Sequence, residues 1–166
     1  MARYMLLRCA QMYNLTVSFE PKLFPDWNGS GCHTNYSTKI MREGTQGMQY
    51  ITDMMKKFEA RHDLHMLLYG EGNKERLTGI HETSSFTEFS YGTGNRGASF
   101  RIPTSTTHNN GKGYIEDRRP ASNIDPYLVG AIIVDTSCLE KTMADPLVEH
   151  FKAWRKYLSG IVIEQA

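Results

Sequence analysis

Residues 26–42 read DWNGSGCHTNYSTKIMR, and the spacing inside this stretch organises everything around it. His33, Asn35 and Ser37 stand two apart, and an extended strand sends residues i, i+2 and i+4 to one face. The spacing predicts a strand with all three side chains on a shared polar face. Ahead of it, Asn28-Gly29-Ser30-Gly31 includes two residues without a Cβ, so the backbone can turn tightly and let a ligand approach. Cys32 beside His33 does not form a nucleophile pair, because strand neighbours point to opposite faces.

A second period-two array lies in GYIEDRRP, residues 113–120. As a strand it places Tyr114, Glu116 and Arg118 on one face and Ile115, Asp117 and Arg119 on the other. Beside His33, a carboxylate such as Glu116 completes part of a hard-metal site, and Arg118 suits a phosphate or carboxylate held by two parallel hydrogen bonds. The competing account is a surface ladder of ion pairs from Glu116 to Arg119. With two polar arrays in one chain, we favour the site.

Composition narrows the setting. At 166 residues, 40% hydrophobic and 22% charged, the chain has the makings of one domain with a core. A formal net charge of +1 argues against nucleic acid or a membrane surface as the main partner. Cys9, Cys32 and Cys138 are widely spaced and odd in number, which suggests reduced thiols and a cytoplasmic setting. The opening 19 residues carry Arg3 and Arg8 without an acid and faintly resemble a mitochondrial presequence; we read them instead as a core-packed helix over 2–13 with Leu6, Cys9 and Ala10 inward.

Helices and strands alternate along the chain. LTVSF at 15–19 is expected to be a buried strand, and Met48, Ile51, Met55 and Phe58 mark an amphipathic helix with Lys56, Lys57 and Glu59 outward. LHMLLY at 64–69 is expected as a strand, GEGNKE as a loop, SFRIP at 99–103 as a strand, and THNNGKG at 107–113 as a turn. Asp125-Pro126 signals a capped helix through Val129, Ile132 and Ile133. A further amphipathic helix is expected near the C-terminus, with Asp145 as cap and Leu147, Phe151, Trp154 and Leu158 as its apolar stripe. It either packs on its own domain or docks a partner.

Four segments, DWNGSGCHTNYSTKIMR, RLTGIHETS, NRGASFRIP and GYIEDRRPASNIDPY, occur in this order. They resemble the signatures of the eukaryotic-type glutamine synthetases over about residues 1–138. The resemblance implies an α+β fold: part of that family's catalytic domain, a mostly antiparallel curved sheet with helices on one side. Residues 139–166 depart from the family's pattern and are expected to form an added helical extension. The resemblance also implies ATP-dependent joining of ammonia to glutamate through γ-glutamyl phosphate, with Mg2+ or Mn2+ holding the phosphates. By the same resemblance His33 and Glu116 are metal ligands. His33, Asn35, Ser37, Arg42, Arg96, Arg101 and Tyr114 contact the nucleotide, and Asn28, Gly29, Arg76 and Arg118 the glutamate. Glu82 is a flap carboxylate that helps ammonium lose its proton, acting with Arg96 and Arg118 in catalysis.

The family's chains are longer, and an E-x-E pair that completes their metal sites does not occur in this sequence. Two readings follow. The chain is the C-terminal part of a working enzyme whose missing half comes from another chain or from the rest of a longer gene, expected as a homo-oligomer or with a companion chain, or it is a truncated paralogue with a structural or regulatory role in a larger assembly, inactive alone.

Overall fold

The computed structural model describes residues 1–139. In chain order these form α1 (Ala2–Met12), β1 (Thr34–Tyr36), α2 (Lys39–Glu43), α3 (Gly47–Ala60), α4 (His62–Leu68), α5 (Asn73–Arg76), β2 (Tyr91–Thr93), β3 (Phe100–Ile102), α6 (Thr104–His108), β4 (Ile115–Asp117) and α7 (Pro126–Val134). A π-helical turn, Asp135–Leu139, continues α7. The two polar arrays become neighbours, β1 and β4, in a sheet of order β1-β4-β3-β2. β4 pairs antiparallel with both β1 and β3, while β2 and β3 run parallel, so the fold is α+β with a mixed sheet. Register places Asn35 opposite Glu116 and Glu116 opposite Arg101. Directly opposed residues share a face, so the three side chains form a row across the sheet.

The other face is core. Phe100, Ile102 and Ile115 are buried there, and Phe58 of α3 brings its ring centroid to 4.6 Å from that of Phe100. Ile51, Met54, Met55 and Phe58 form the buried stripe of α3, at the spacings a helix needs to hide one side. Asp125 caps α7 by accepting a hydrogen bond from the Tyr127 amide at 2.8 Å, and Pro126 opens the helix. That cap turns Val129, Ile132 and Ile133 into the core.

Asp117 and Arg119 also lie on the buried face, and they correct the surface ladder. Both side chains are fully buried, with Arg119 Nε and Nη2 donating to the two carboxylate oxygens at 2.9 and 2.8 Å. Tyr69 donates to Asp117 Oδ2 at 2.7 Å, and His65 lies 2.6 Å from the Tyr69 hydroxyl and 2.9 Å from that of Thr136. The Arg119 guanidinium sits over the rings of Tyr69, Phe89 and Phe100. A buried charge is tolerable only when paired and hydrogen-bonded, and this one is both.

Several expectations fail for identifiable reasons. LHMLLY is not a strand: α4 covers most of it, and His62, His65, Met66 and Tyr69 are buried at intervals of three and one, a helical period that a short apolar run conceals. LTVSF pairs with no strand among the described residues and has no regular secondary structure, Leu15 being 66% exposed. α1 forms as expected but is not core-packed: only Ala10 is buried, and Leu6 and Cys9 are exposed. GEGNKE runs into the helical turn α5, and the turn at 107–113 begins inside α6. The amphipathic helix with its cap at Asp145, and most of the 139–166 extension, lie outside the described residues.

Candidate active site

Glu116 is the centre of the open face. Its carboxylate lies 3.2 Å from His33 Nδ1, accepts from Arg101 Nη1 at 3.3 Å, and lies 3.4 and 3.5 Å from Arg118 Nη1. The antiparallel pairing explains the meeting: His33, two residues before Asn35, falls opposite Arg118, two residues after Glu116. Nη1 of Arg118 is itself 3.4 Å from His33 Nδ1. Burial lowers the His33 pKa and the Arg118 charge lowers it further, against the opposing pull of Glu116. A neutral imidazole follows near pH 7, and with Nδ1–H given to Glu116 the lone pair remains on Nε2.

Arg118 is a junction. Its Nε donates to the Arg96 carbonyl at 3.0 Å and its Nη2 to the Glu82 carbonyl at 3.3 Å, which ties the strand to two loops. The Arg96 and Glu82 side chains approach to 3.6 Å at the surface, where an ion pair stabilises little. Glu82 sits at the tip of a tight loop closed by a bridge between Thr78 and Ser85. His81 and Glu82 both have left-handed backbones, φ 56° and 57°, a rare state for residues with a Cβ.

Arg76 lies beneath this loop and is only 4% exposed. Nε donates to Asn73 Oδ1 at 2.9 Å, and Nη2 donates to the carbonyls of Arg118, Arg119 and Pro120 at 3.2, 2.7 and 3.2 Å. Burial, followed by repulsion from Arg118, lowers its pKa to about 10, so it stays charged at neutral pH. The glycine-rich turn is shaped by this side chain: a Cβ on Gly31 would stand 2.5 Å from Arg76 Nη1, and one on Gly29 would strike its Cγ. A cavity of about 210 Å³ results, bounded by Asn28, Gly29, Gly31, His33, Arg76, His81, Glu82, Thr83 and Arg118.

The sequence-derived candidates thus divide. His33, Arg101, Glu116 and Arg118 form one cluster; Asn28, Gly29, Arg76 and Glu82 line the cavity it borders; Asn35 shares the sheet face. Tyr114 is exposed just before β4. Arg42 stands apart, donating from α2 to the Ser37 carbonyl and hydroxyl at 3.0 Å each. Sequence reasoning missed His81 and Asn73. His81 adjoins Glu82 in HET, so the motif itself could have pointed to it. Asn73 reads like any loop asparagine, and nothing in its neighbours announces burial.

His33 and Glu116 are suitable donors for a divalent cation, but no group of three or more His, Cys, Asp or Glu converges among the described residues. Hard cations take six or more oxygens, and Glu116 is already shared by two guanidiniums. These residues alone do not make such a site.

A family model described as glutamine synthetase, catalytic domain, matches residues 1–139. The glutamine synthetase of Suillus bovinus is 56% identical over 142 residues, 85% of this chain and 40% of that protein. That of Saccharomyces cerevisiae is 56% identical over 139 residues, 83% of this chain and 37% of that protein. A cryo-electron microscopy structure of Plasmodium falciparum glutamine synthetase has a similar fold, with a TM-score of 0.61 at 23% identity, over 81% of this chain and 28% of that one. The chain therefore spans about 40% of the length of these curated relatives.

Proposed function

The chain belongs to the glutamine synthetase catalytic-domain family, and from that premise we propose that it supplies the phosphate-facing and carboxylate-facing part of a site that joins ammonia to glutamate at the expense of ATP. The observation that carries this reading is the convergence of Arg101, Arg118, Glu116 and His33 beside a cavity edged by Arg76 and Glu82. Phosphoryl transfer places negative charge on phosphate oxygens, and a guanidinium fixed by backbone carbonyls, as that of Arg118 is, meets it without reorganising. In this reading Arg118, Arg96 and Arg101 neutralise the phosphoryl group, and Arg76 Nη1 takes the α-carboxylate of glutamate over the Asn28-Gly29 turn. Glu82, on its tight loop, accepts a proton from ammonium as the amine attacks. The nucleotide lies along Asn35, Ser37, Arg42 and Tyr114.

A divalent cation, Mg2+ or Mn2+, would screen the phosphate charge, with further acidic ligands coming from polypeptide outside residues 1–139. The partner is a second copy or a companion chain. β1 and β2 each have one neighbour in the sheet among the described residues, and an uncovered edge invites pairing. Exposed Tyr4, Met5, Leu6 and Met12 on α1 add apolar surface to cover.

The test compares ammonia-dependent glutamine formation by the purified 166-residue chain alone and with a complementary half-domain bearing the acidic ligands. Activity is expected only in the mixture and is expected to vanish with Arg118→Ala. Synthesis by the chain alone, or an Arg118→Ala mixture as active as the original, would refute the reading.

A further inference from the structure

Arg76 owes its position to a side chain that none of the four sequence signatures singles out. Asn73, at the first position of α5, is 1% exposed, and both polar atoms of its side chain are engaged. Its Nδ2 donates to the Tyr69 carbonyl at 3.1 Å and to the Arg119 carbonyl at 2.7 Å, and its Oδ1 accepts from Arg76 Nε at 2.9 Å. One amide therefore joins the end of α4, the chain leaving β4, and the guanidinium at the cavity. Among the described residues Arg76 Nη1 has no protein acceptor, and it is the nitrogen beside Gly31 and the cavity. The remaining guanidinium nitrogens face backbone or Asn73.

A guanidinium is planar, so fixing Nε and Nη2 fixes the direction of Nη1. Three carbonyls can hold Nη2 in several rotations about the side chain. The acceptor on Nε selects one. Asparagine fits this place because it donates and accepts at once; an aspartate would keep the acceptor and lose both donors, and an alanine would lose all three bonds.

We propose that Asn73 is a positioning residue that aims Arg76 Nη1 at a carboxylate in the cavity, and that it thereby sets the affinity for the amino-acid substrate rather than for the nucleotide. This rests on the reading of Arg76 as the carboxylate-binding group. The experiment follows the Arg76 Nε–H signal by NMR in the full chain, assigned with Arg76→Lys, during titration with L-glutamate and separately with ATP. In the original chain the Nε–H should exchange slowly with solvent and respond to glutamate. Asn73→Ala should speed that exchange and weaken glutamate binding about tenfold, the scale of one lost hydrogen bond to a charged group, with ATP binding unchanged. Asn73→Asp should be less stable but bind glutamate within about threefold of the original, because the acceptor on Nε survives.

A merely structural role for Asn73 would weaken glutamate and ATP binding together in both variants, and that result overturns the proposal. So does an Asn73→Ala chain that keeps both slow exchange and glutamate affinity. Loss of glutamate binding in Arg76→Lys with none in Asn73→Ala refutes the positioning role while leaving Arg76 in place. Absence of any glutamate response in the original chain, or full binding by Arg76→Lys, refutes the assignment of Arg76 and the proposal with it. Should the alanine variant not fold, the exchange rate of the original chain and the aspartate variant still decide the question.

Discussion

Glu116 and Asp117 are adjacent, and each is a carboxylate serving arginine, yet the strand turns them to opposite sides of the sheet. Above it, Glu116 is divided among Arg101, Arg118 and His33 at 3.2–3.5 Å and keeps some contact with solvent. Below it, Asp117 holds the Arg119 guanidinium with two bonds of 2.8 and 2.9 Å and accepts two more, from the Arg119 amide at 3.1 Å and from Tyr69 at 2.7 Å, with no exposure. The upper carboxylate has several long contacts that an incoming ligand could replace. The lower one is saturated. Similar residue types thus serve exchange on one face and permanence on the other, and the difference comes from burial and geometry.

The strongest way to break this comparison is to truncate the lower carboxylate. Asp117→Ala leaves the Arg119 charge buried without its partner, and a loss of about 3–5 kcal/mol in unfolding free energy is expected by denaturant titration. Glu116→Ala should cost only about 1 kcal/mol, because its contacts are long and partly solvated, while abolishing the proposed activity of the assembled site. Equal stability losses would remove the distinction between the faces.

Acid sharpens it. Burial holds the His65 pKa well below 6.5, and the Arg119 charge pushes it the same way. The unfolded chain then binds a proton that the folded chain refuses, so stability is full above about pH 6.5 and falls as pH drops below it. His65→Gln should flatten that slope in unfolding curves recorded between about pH 7 and 5. An unchanged slope would mean that the lower network is not what acid attacks.

The mildest change concerns the edge of the upper face. Arg42 is exposed and, among the described residues, its side chain bonds only to Ser37, so Arg42→Ala should shift stability by less than about 0.5 kcal/mol. Any effect on binding should fall on the nucleotide alone, as titration with ATP and glutamate in parallel would reveal.

Much of this contrast was legible in the residues. Period two in GYIEDRRP separates Glu116 and Arg118 from Asp117 and Arg119, and the same period in CHTNYS brings His33 toward Glu116. Both survive because strands alternate whatever surrounds them. What the buried face would do was not legible: an Asp-x-Arg pair reads the same at a surface as in a core, and it is Tyr69, His65, His62 and the rings of Phe89 and Phe100 that make it an interior pair. α4 was hidden for a related reason, since its histidines supply the helical period while its leucines suggest a strand. Asn73 escaped because its three bonds reach residues 69, 76 and 119, two near in sequence and one distant.

The opposed pairs in β4 also bear on which genetic lesions this chain could survive. A single-residue deletion within Ile115–Asp117 would exchange the two faces beyond it. Because both faces carry acids and arginines, the shifted strand would remain compatible in composition while the buried charge lost its aromatic surroundings and Arg118 lost its loops. Deletions in frame should therefore be selected against more strongly here than at Asn109 and Asn110, which are exposed where the chain turns. A deletion scan of folded yield across residues 107–120 would show a sharp boundary near Tyr114.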